Sequence, residues 1–292
     1  MLNMNTAMRG EDLRQLDAAS QATVRQRFQG FQDATRLQRE WAAWQTEWPG
    51  FMDRYWKYSD PERRFTAMEI EKSLEVLTSC EKEDYAAKIA AALLMERMGR
   101  ISEGVTLIDE VIQAETTLQP VALAAKAILL EAVDKPKEAK TAMQSAIKLA
   151  RTNPYVRWLH ARDAARQEQW ASAESELKAL TTVKSLEVEA HRAMALVHFA
   201  RSKKTASEGI KAKRAAQLAL DLEPQPHWYS HLVMALAHHA TKKKDEALSS
   251  LEKAERKAAG ENQEWCQELR TAIENGDPIE WAFDRRLVEV DK

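Results

Sequence analysis

The chain has 292 residues but only eight glycines and eight prolines, too few turn residues for most β architectures, and its composition favours long helices. Lys and Arg total 43 against 45 Asp and Glu, and the formal net charge of −2 gives no overall attraction to nucleic acid. The two cysteines, Cys80 and Cys266, make neither a disulfide framework nor a metal-ligand set, so the composition predicts an all-α protein of a reducing compartment.

The N-terminal stretch MLNMNTAMRGEDLRQLD (1–17) lacks the apolar core of a signal peptide. No later stretch reaches the length of an apolar membrane span. We therefore expect a cytoplasmic protein without a membrane span.

The first predicted element is a long helix over residues 11–47, a stretch without proline that the Pro-Gly pair at 49–50 ends. Trp41, Trp44 and Trp48 stand at i, i+3 and i+7, so they form one stripe on this helix. We expect this stripe to cover the open end of whatever domain follows it.

Phe28 and Phe31 lie on the same predicted helix, upstream of the tryptophans. Two large aromatic side chains on an otherwise polar helix favour a covering surface, because leaving each in water forgoes about 1.5–3 kcal/mol. That surface belongs either to the protein's own groove or to another chain, and we expect a second copy. The candidate self-association residues are Phe28, Phe31, Trp41, Trp44 and Trp48.

Small residues recur downstream at a regular spacing, close to the length of one helix pair and its turns. Such periodicity predicts stacked pairs of helices, since two helices that cross closely need a small side chain at the contact and a single pair cannot bury its apolar face. The two small residues of a unit are 12 apart, except for 17 between Ala195 and Ala212, which predicts a five-residue insertion in the turn near residues 202–206. The two series are Ala92, Ala127, Ala161, Ala195 and Ala235, and Gly104, Ala139, Ala173, Ala212 and Ala247.

These units resemble the tetratricopeptide repeat (TPR) family, whose pattern reads W-x2-L-G-x2-Y, then A-x3-F, then P, in about 34 residues. The A-x3-F slots hold small and large apolar pairs such as Ala139 with Met143 and Ala173 with Leu177, and only Ala216 is too small for its slot. The tryptophan slot departs from the family pattern, with Lys88, Leu123, Arg157, His191 and His231 in the five units.

The resemblance covers residues 85–260 and implies an all-α, right-handed α-solenoid of about five TPR-like helix pairs. A weaker sixth unit is expected at 65–80, where the apolar residues are in register with those one repeat length later. The stretch NQEWCQELRTAIEN (262–275) predicts a C-terminal capping helix. We divide the chain into an N-terminal helix and aromatic cap (1–60), a repeat domain (61–275) and a tail (276–292).

In the TPR family the first helix of each pair lines the concave surface, and the register carries that role to this chain. The implied lining is aliphatic at first and then aromatic and cationic, with few carboxylates, which suits a peptide or helical segment with apolar and acidic residues. The candidate peptide-binding residues are Ile89, Leu93, Ile128, Tyr155, Trp158, Arg162, Arg166, Arg192, Phe199 and Tyr229.

Other functions have less support in the sequence. Histidines seven apart on one helix are about 10 Å apart along its axis, too far to share a metal ion, so we interpret His191, His198, His231 and His238 as packing residues. The basic stretch 200–214 has six Lys or Arg against one Glu and is either a solvated face or a contact for a phosphate or an acidic partner.

We find no motif of an enzyme and expect no cofactor. The leading hypothesis is therefore a non-catalytic protein-interaction module. The alternatives are a structural assembly subunit that self-associates through its N-terminal helix, and an RNA-binding helical repeat, which the near-neutral charge disfavours.

Overall fold

The computed structural model describes residues 67–80, 84–114, 116–184 and 186–279, with the side chains of all of these except 67–70 and 261. Within these ranges the chain forms twelve α-helices and no β-strand, which confirms the all-α prediction. The helices are α1 (Ala67–Thr78), α2 (Tyr85–Arg97), α3 (Ile101–Gln113), α4 (Gln119–Ala132), α5 (Pro136–Ala150), α6 (Pro154–Arg166), α7 (Trp170–Leu180), α8 (Glu187–Ser202), α9 (Ala206–Leu222), α10 (Trp228–Ala240), α11 (Lys244–Glu255) and α12 (Glu261–Asn275).

Helices α2 to α11 form the five predicted pairs, and each pair packs against the next. We call α2, α4, α6, α8 and α10 the first helices of units 1 to 5, and the helices that follow them the second helices. Helix α1 lies within the predicted weaker sixth unit (65–80) and packs against α2. Helix α12 packs against α11 and has the position of the predicted capping helix.

The small residues lie at the helix crossings, as the spacing predicts. A Cβ atom added at Gly104 would lie 3.0 Å from the carbonyl oxygen of Ala92, so the two backbones of unit 1 almost touch. The equivalent alanines of the second helices, Ala139, Ala173, Ala212 and Ala247, are all buried. The repeat register derived from these residues is therefore correct.

The two helices of a unit differ in how much of their surface is covered. First helices such as α4 are buried on nearly all sides, as expected for a helix enclosed by neighbours. Second helices such as α3 and α5 bury a narrow stripe and expose the opposite face. The first helices therefore form an inner layer of the described structure.

Four of the five turns within units have the same conformation. Each has three residues, and the middle one has a positive φ that glycine adopts most easily. In unit 5, for example, the amide of Lys242 donates to the carbonyl of His239 and that of Lys243 to the carbonyl of His238, a pattern that satisfies carbonyls at the helix end. The middle residues are Gly99, Asp134, Glu168 and Lys242.

The prediction that five inserted residues lengthen the turn of unit 4 is wrong. This turn also has three residues, Lys203 to Thr205, and none has a positive φ. Helix α8 instead continues seven residues beyond Ala195, where the other first helices continue five, and α9 begins six residues before Ala212, where the others begin three before. The insertion adds two residues to α8 and three to α9, because helical residues keep their backbone hydrogen bonds and a longer loop would not.

The C-terminal end of the stack is closed by aromatic packing. Trp265 of α12 is buried, and its ring meets that of Trp228 edge to face with centroids 6.1 Å apart. Leu269 and Ile273 continue the same buried face of α12. No helix in the described ranges combines the length and apolar character needed to cross a membrane.

Candidate protein-binding site

All ten candidate peptide-binding residues lie on first helices, from α2 to α10, but nine of them are only 0–8% exposed. The tenth, Arg166, has a side chain that is 21% exposed. The chain itself covers this surface, so a partner would have to displace covering residues before it contacted them. Their role in binding stays a prediction.

Arg162 and Arg166 share one carboxylate, that of Glu96. Arg162 Nη2 is 3.0 Å from Glu96 Oε2, and Arg166 Nη2 is 2.6 Å from Glu96 Oε1. Burial by itself would raise the pKa of Glu96, but the two guanidinium groups outweigh it and lower this pKa to about 2. Because Glu96 belongs to unit 1 and the arginines to unit 3, the ion pairs connect two units that are not consecutive.

Two further carboxylates lie beside this cluster. The amide of Gln167 donates to Asp163 Oδ1 at 3.0 Å and to Glu131 Oε1 at 3.2 Å. Burial raises the pKa of both carboxyl groups, and for Glu131 the nearby charge of Asp163 raises it further. The expectation of a surface with few carboxylates is therefore wrong in units 1 to 3.

The sequence contained a signal for these missed residues. Glu96 and Glu131 each stand four residues after a crossing alanine, Ala92 and Ala127, so they occupy the same position of consecutive units. Arg166 stands five residues after Ala161, next to that position in unit 3. Comparing equivalent positions of the units would have placed Glu96 and Glu131 in one row, whereas unit 3 has Ala165 at that position and gives no such signal for Arg166.

A second buried network connects units 4 and 5. Arg192 Nε donates to Ser230 Oγ at 2.7 Å, and Arg192 Nη2 donates to Glu223 Oε1 at 2.6 Å. The same guanidinium lies 5.9 Å from the centre of the Tyr229 ring, a distance at which cation–π attraction contributes. Arg192 thus positions Tyr229, another candidate binding residue.

A third network surrounds His198 in unit 4. His198 Nδ1 is 2.7 Å from Glu208 Oε2, and Lys211 Nζ is 2.9 Å from Glu208 Oε1. Burial would raise the pKa of Glu208, but the hydrogen bonds from Lys211 and His198 and the charge of Arg201 lower it. The structure therefore pairs His198 with a carboxylate.

Metal binding and self-association are the remaining questions about sites in this chain. In the ranges that the structure describes, no group of three or more His, Cys, Asp or Glu residues is arranged to hold a metal ion. The predicted self-association residues, from Phe28 to Trp48, lie outside the described residues.

Known structures resemble this arrangement of helix pairs. The crystal structure of yeast Tom70 superposes with a TM-score of 0.55 at 12% sequence identity, over 73% of this chain and 44% of that one. A tetratricopeptide repeat protein from Parabacteroides merdae superposes with a TM-score of 0.53 at 14% identity, over 86% of this chain and 97% of that one. The chain has the tetratricopeptide-repeat fold.

The TPR fold thus agrees with the resemblance seen in the second-helix positions. At such low sequence identity the similarity to these structures shows the fold alone. The chain spans less than half the length of yeast Tom70. No protein-family model and no curated protein sequence matches the chain.

Proposed function

We propose that the protein is a non-catalytic interaction module whose first helices bind a segment of another protein. The observation that carries this proposal is the gathering of charged groups on the inner layer: Arg162, Asp163 and Arg192 all belong to first helices and are buried. A layer that served packing alone would gain stability from apolar residues of similar volume.

The residue types of this surface support a protein ligand. Tyr155 and Trp158 share α6 with Arg162 and Arg166, and Tyr229 of α10 lies beside Arg192 of α8. Aromatic residues and arginine are the commonest anchors of protein interfaces. Arginine also forms paired hydrogen bonds with carboxylates, which favours acidic residues in the partner. The proposed ligand is therefore a peptide segment with apolar and acidic side chains.

Binding requires that the inner layer opens. Arg166 is the most exposed of the ten candidate residues, with a side chain 21% exposed, and it would contact the partner first. An incoming carboxylate would compete with Glu96 for this guanidinium, while Arg162 keeps Glu96 paired. Opening the inner layer costs free energy, and this cost makes the net free energy of peptide binding less favourable. We therefore expect a moderate affinity.

A peptide selection tests the proposal. Short peptides, displayed as a random library, are selected on the intact chain, and the enriched peptides are titrated by calorimetry. We expect acidic and apolar peptides that lose at least tenfold in affinity in Arg166→Gln, since neutral glutamine cannot replace the charge-assisted contact.

Arg157→Gln is a matched control. Arg157 lies on the same helix with a side chain 24% exposed, and its Nη1 is 3.0 Å from Glu176 rather than Glu96. Equal affinity of a selected peptide for wild type, Arg166→Gln and Arg157→Gln would place its binding site elsewhere. A selection that enriches no peptide would contradict the proposed function itself.

A further inference from the structure

Helix α9 presents an exposed apolar ridge to solvent. Ile210 is 67% exposed, Leu218 42% and Leu222 38%, and these are half of the large exposed hydrophobic residues in the described part of the chain. With Arg214 they stand four residues apart in one row, the kind of ridge that packs into the groove of another helix. The row extends over about 18 Å at 1.5 Å per residue.

The charges beside this ridge differ between its two ends. Lys211 lies near the first half of the ridge, and its side chain is 51% exposed. Asp221 is exposed in the last turn of α9, which has no basic residue, and it accepts a hydrogen bond from the neutral amide of Gln217. A carboxylate at a helix C-terminus is repelled by the helix dipole, so Asp221 would gain from a cation outside its own helix.

This pattern is complementary to itself in the antiparallel direction. Residues 210 and 222 are centred on position 216, and so are residues 211 and 221. A second α9 running antiparallel across that centre places Ile210 opposite Leu222 and Lys211 opposite Asp221. Twofold symmetry repeats both contacts, as required for an interface between identical surfaces.

We propose that α9 is a dimerisation surface on which a second copy of this chain docks its own α9 in antiparallel orientation. The basic surroundings of Arg214 would also suit a nucleic-acid contact, but phosphates do not need the three aliphatic side chains of the ridge. A single helix pair buries less than a standard stable interface, which covers about 1600 Å² in total. We therefore expect a dimer with a dissociation constant in the micromolar range.

Sedimentation velocity of the intact chain, over a concentration series from the low micromolar to the high micromolar range, tests the proposal. Wild type should change from monomer to dimer over this series. Ile210→Ser should weaken the dimer at least tenfold by removing the most exposed apolar contact. The matched control Leu149→Ser, a change of an exposed residue on second helix α5, should leave association unchanged.

Charge exchange tests the antiparallel pairing. Lys211→Glu and Asp221→Lys should each abolish dimerisation, because each homodimer would hold two like-charged pairs. An equimolar mixture of the two variants should restore a dimer, since every pair across the interface then joins opposite charges. This rescue also separates an interface effect from local disturbance of the Lys211–Glu208 ion pair.

A wild-type chain that stays monomeric at the highest concentration of the series would overturn the proposal. Dimers that persist unchanged in Ile210→Ser would also overturn it, because they would form through another surface. A mixture of the charge variants that stays monomeric would refute the antiparallel arrangement. These outcomes are independent of peptide binding by the first helices, which the Arg166→Gln comparison measures separately.

Discussion

At the residue scale, Glu96 is a buried carboxylate of the inner layer that pairs with two arginines. Its carboxylate is surrounded by Arg162 and Arg166 from two units away. Taking three charged groups out of water is costly, and the cost is offset only while all three remain together. Removing one member should therefore cost more than removing an exposed ion pair.

We expect Glu96→Gln to lower the free energy of unfolding by about 3 kcal/mol, measured by urea denaturation at pH 7. The control Glu103→Gln removes a carboxylate whose partner, Arg100, lies three residues away on the exposed surface. Exposed pairs contribute little to stability, so this variant should resemble wild type. Equal effects of the two substitutions would show that Glu96 is not buried among its arginines.

The pH dependence of stability gives a second test of Glu96. Its pKa falls from an ordinary value of 4.5 to about 2 on folding, so its stabilisation is fully present above pH 4.5 and is lost as the pH falls from 4.5 towards 2. Wild type should lose about 3 kcal/mol more than Glu96→Gln over this window, at about 1.4 kcal/mol per pKa unit. Parallel stability curves for both proteins would contradict the lowered pKa.

His191 and His238 should make the protein sensitive to milder acid. Burial lowers the pKa of both rings below 6.5, and Lys213 lowers that of His238 further. Since the folded pKa is below the unfolded one, the stabilisation is present above pH 6.5 and is lost as the pH falls below it. The double variant His191→Gln, His238→Gln should lose less stability than wild type between pH 7.5 and 5.5 in urea denaturation, and an identical loss would refute this role.

At the scale of the element, the α8–α9 hairpin differs most from the other units. The start of α9 packs against the end of α10, where Gly209 lies close to Ala240. A Cβ atom at Gly209 would be 2.9 Å from the carbonyl oxygen of Ala240 and 3.3 Å from Thr241 Cγ2. This close approach depends on a glycine, and no other unit has a glycine at the equivalent position.

Gly209→Ala should destabilise the protein by about 1–3 kcal/mol through this collision. Alanine favours a helix by about 1 kcal/mol over glycine, so propensity alone predicts the opposite sign. Ser207→Ala, an exposed change two residues earlier in α9, is the control and should have little effect. A stabilised Gly209→Ala variant in thermal denaturation would contradict the close contact with α10.

The helix crossings allow a similar test of the repeat register. Ala173 is completely buried at the crossing of α6 and α7, and Ala173→Leu should cost about 1–3 kcal/mol by overpacking. The same substitution at Ala171, which is exposed on the same helix, should be tolerated. Equal stability of both variants in urea denaturation would mean that α6 and α7 cross elsewhere.

Much of the fold was predictable because it depends on local spacing. The positions of Gly104, Ala139 and Ala173 determine where two helices can cross, and the structure agrees with them. The sequence also showed that unit 4 has five extra residues, but it did not show where they lie, since extra residues such as Ser202 can extend either a turn or a helix. Only hydrogen bonding in the folded protein decides between the two.

The candidate site was predictable in position but not in environment. Register places Arg162 and Arg166 on a first helix, and the structure agrees. Their pairing with Glu96 depends on how closely units 1 and 3 approach each other across unit 2. The spacing of residues within one repeat does not determine that distance.

At the scale of the whole molecule, the five units form a continuous stack in which each stabilises the next. The charge networks around Glu96 and Arg192 connect different units on the inner layer, whereas the exposed ridge of α9 belongs to a second helix. We propose different contacts for the two layers: first helices with a partner protein, and α9 with another copy of the chain.

Hydrogen–deuterium exchange of the intact chain, with and without a selected acidic and apolar peptide, tests most directly whether the first helices bind a partner. Amide exchange reports local opening and its suppression by a ligand. We predict slower exchange on peptide binding in α6 and α8, with no change in α7 and α9. Protection confined to the second helices would contradict the proposed binding surface.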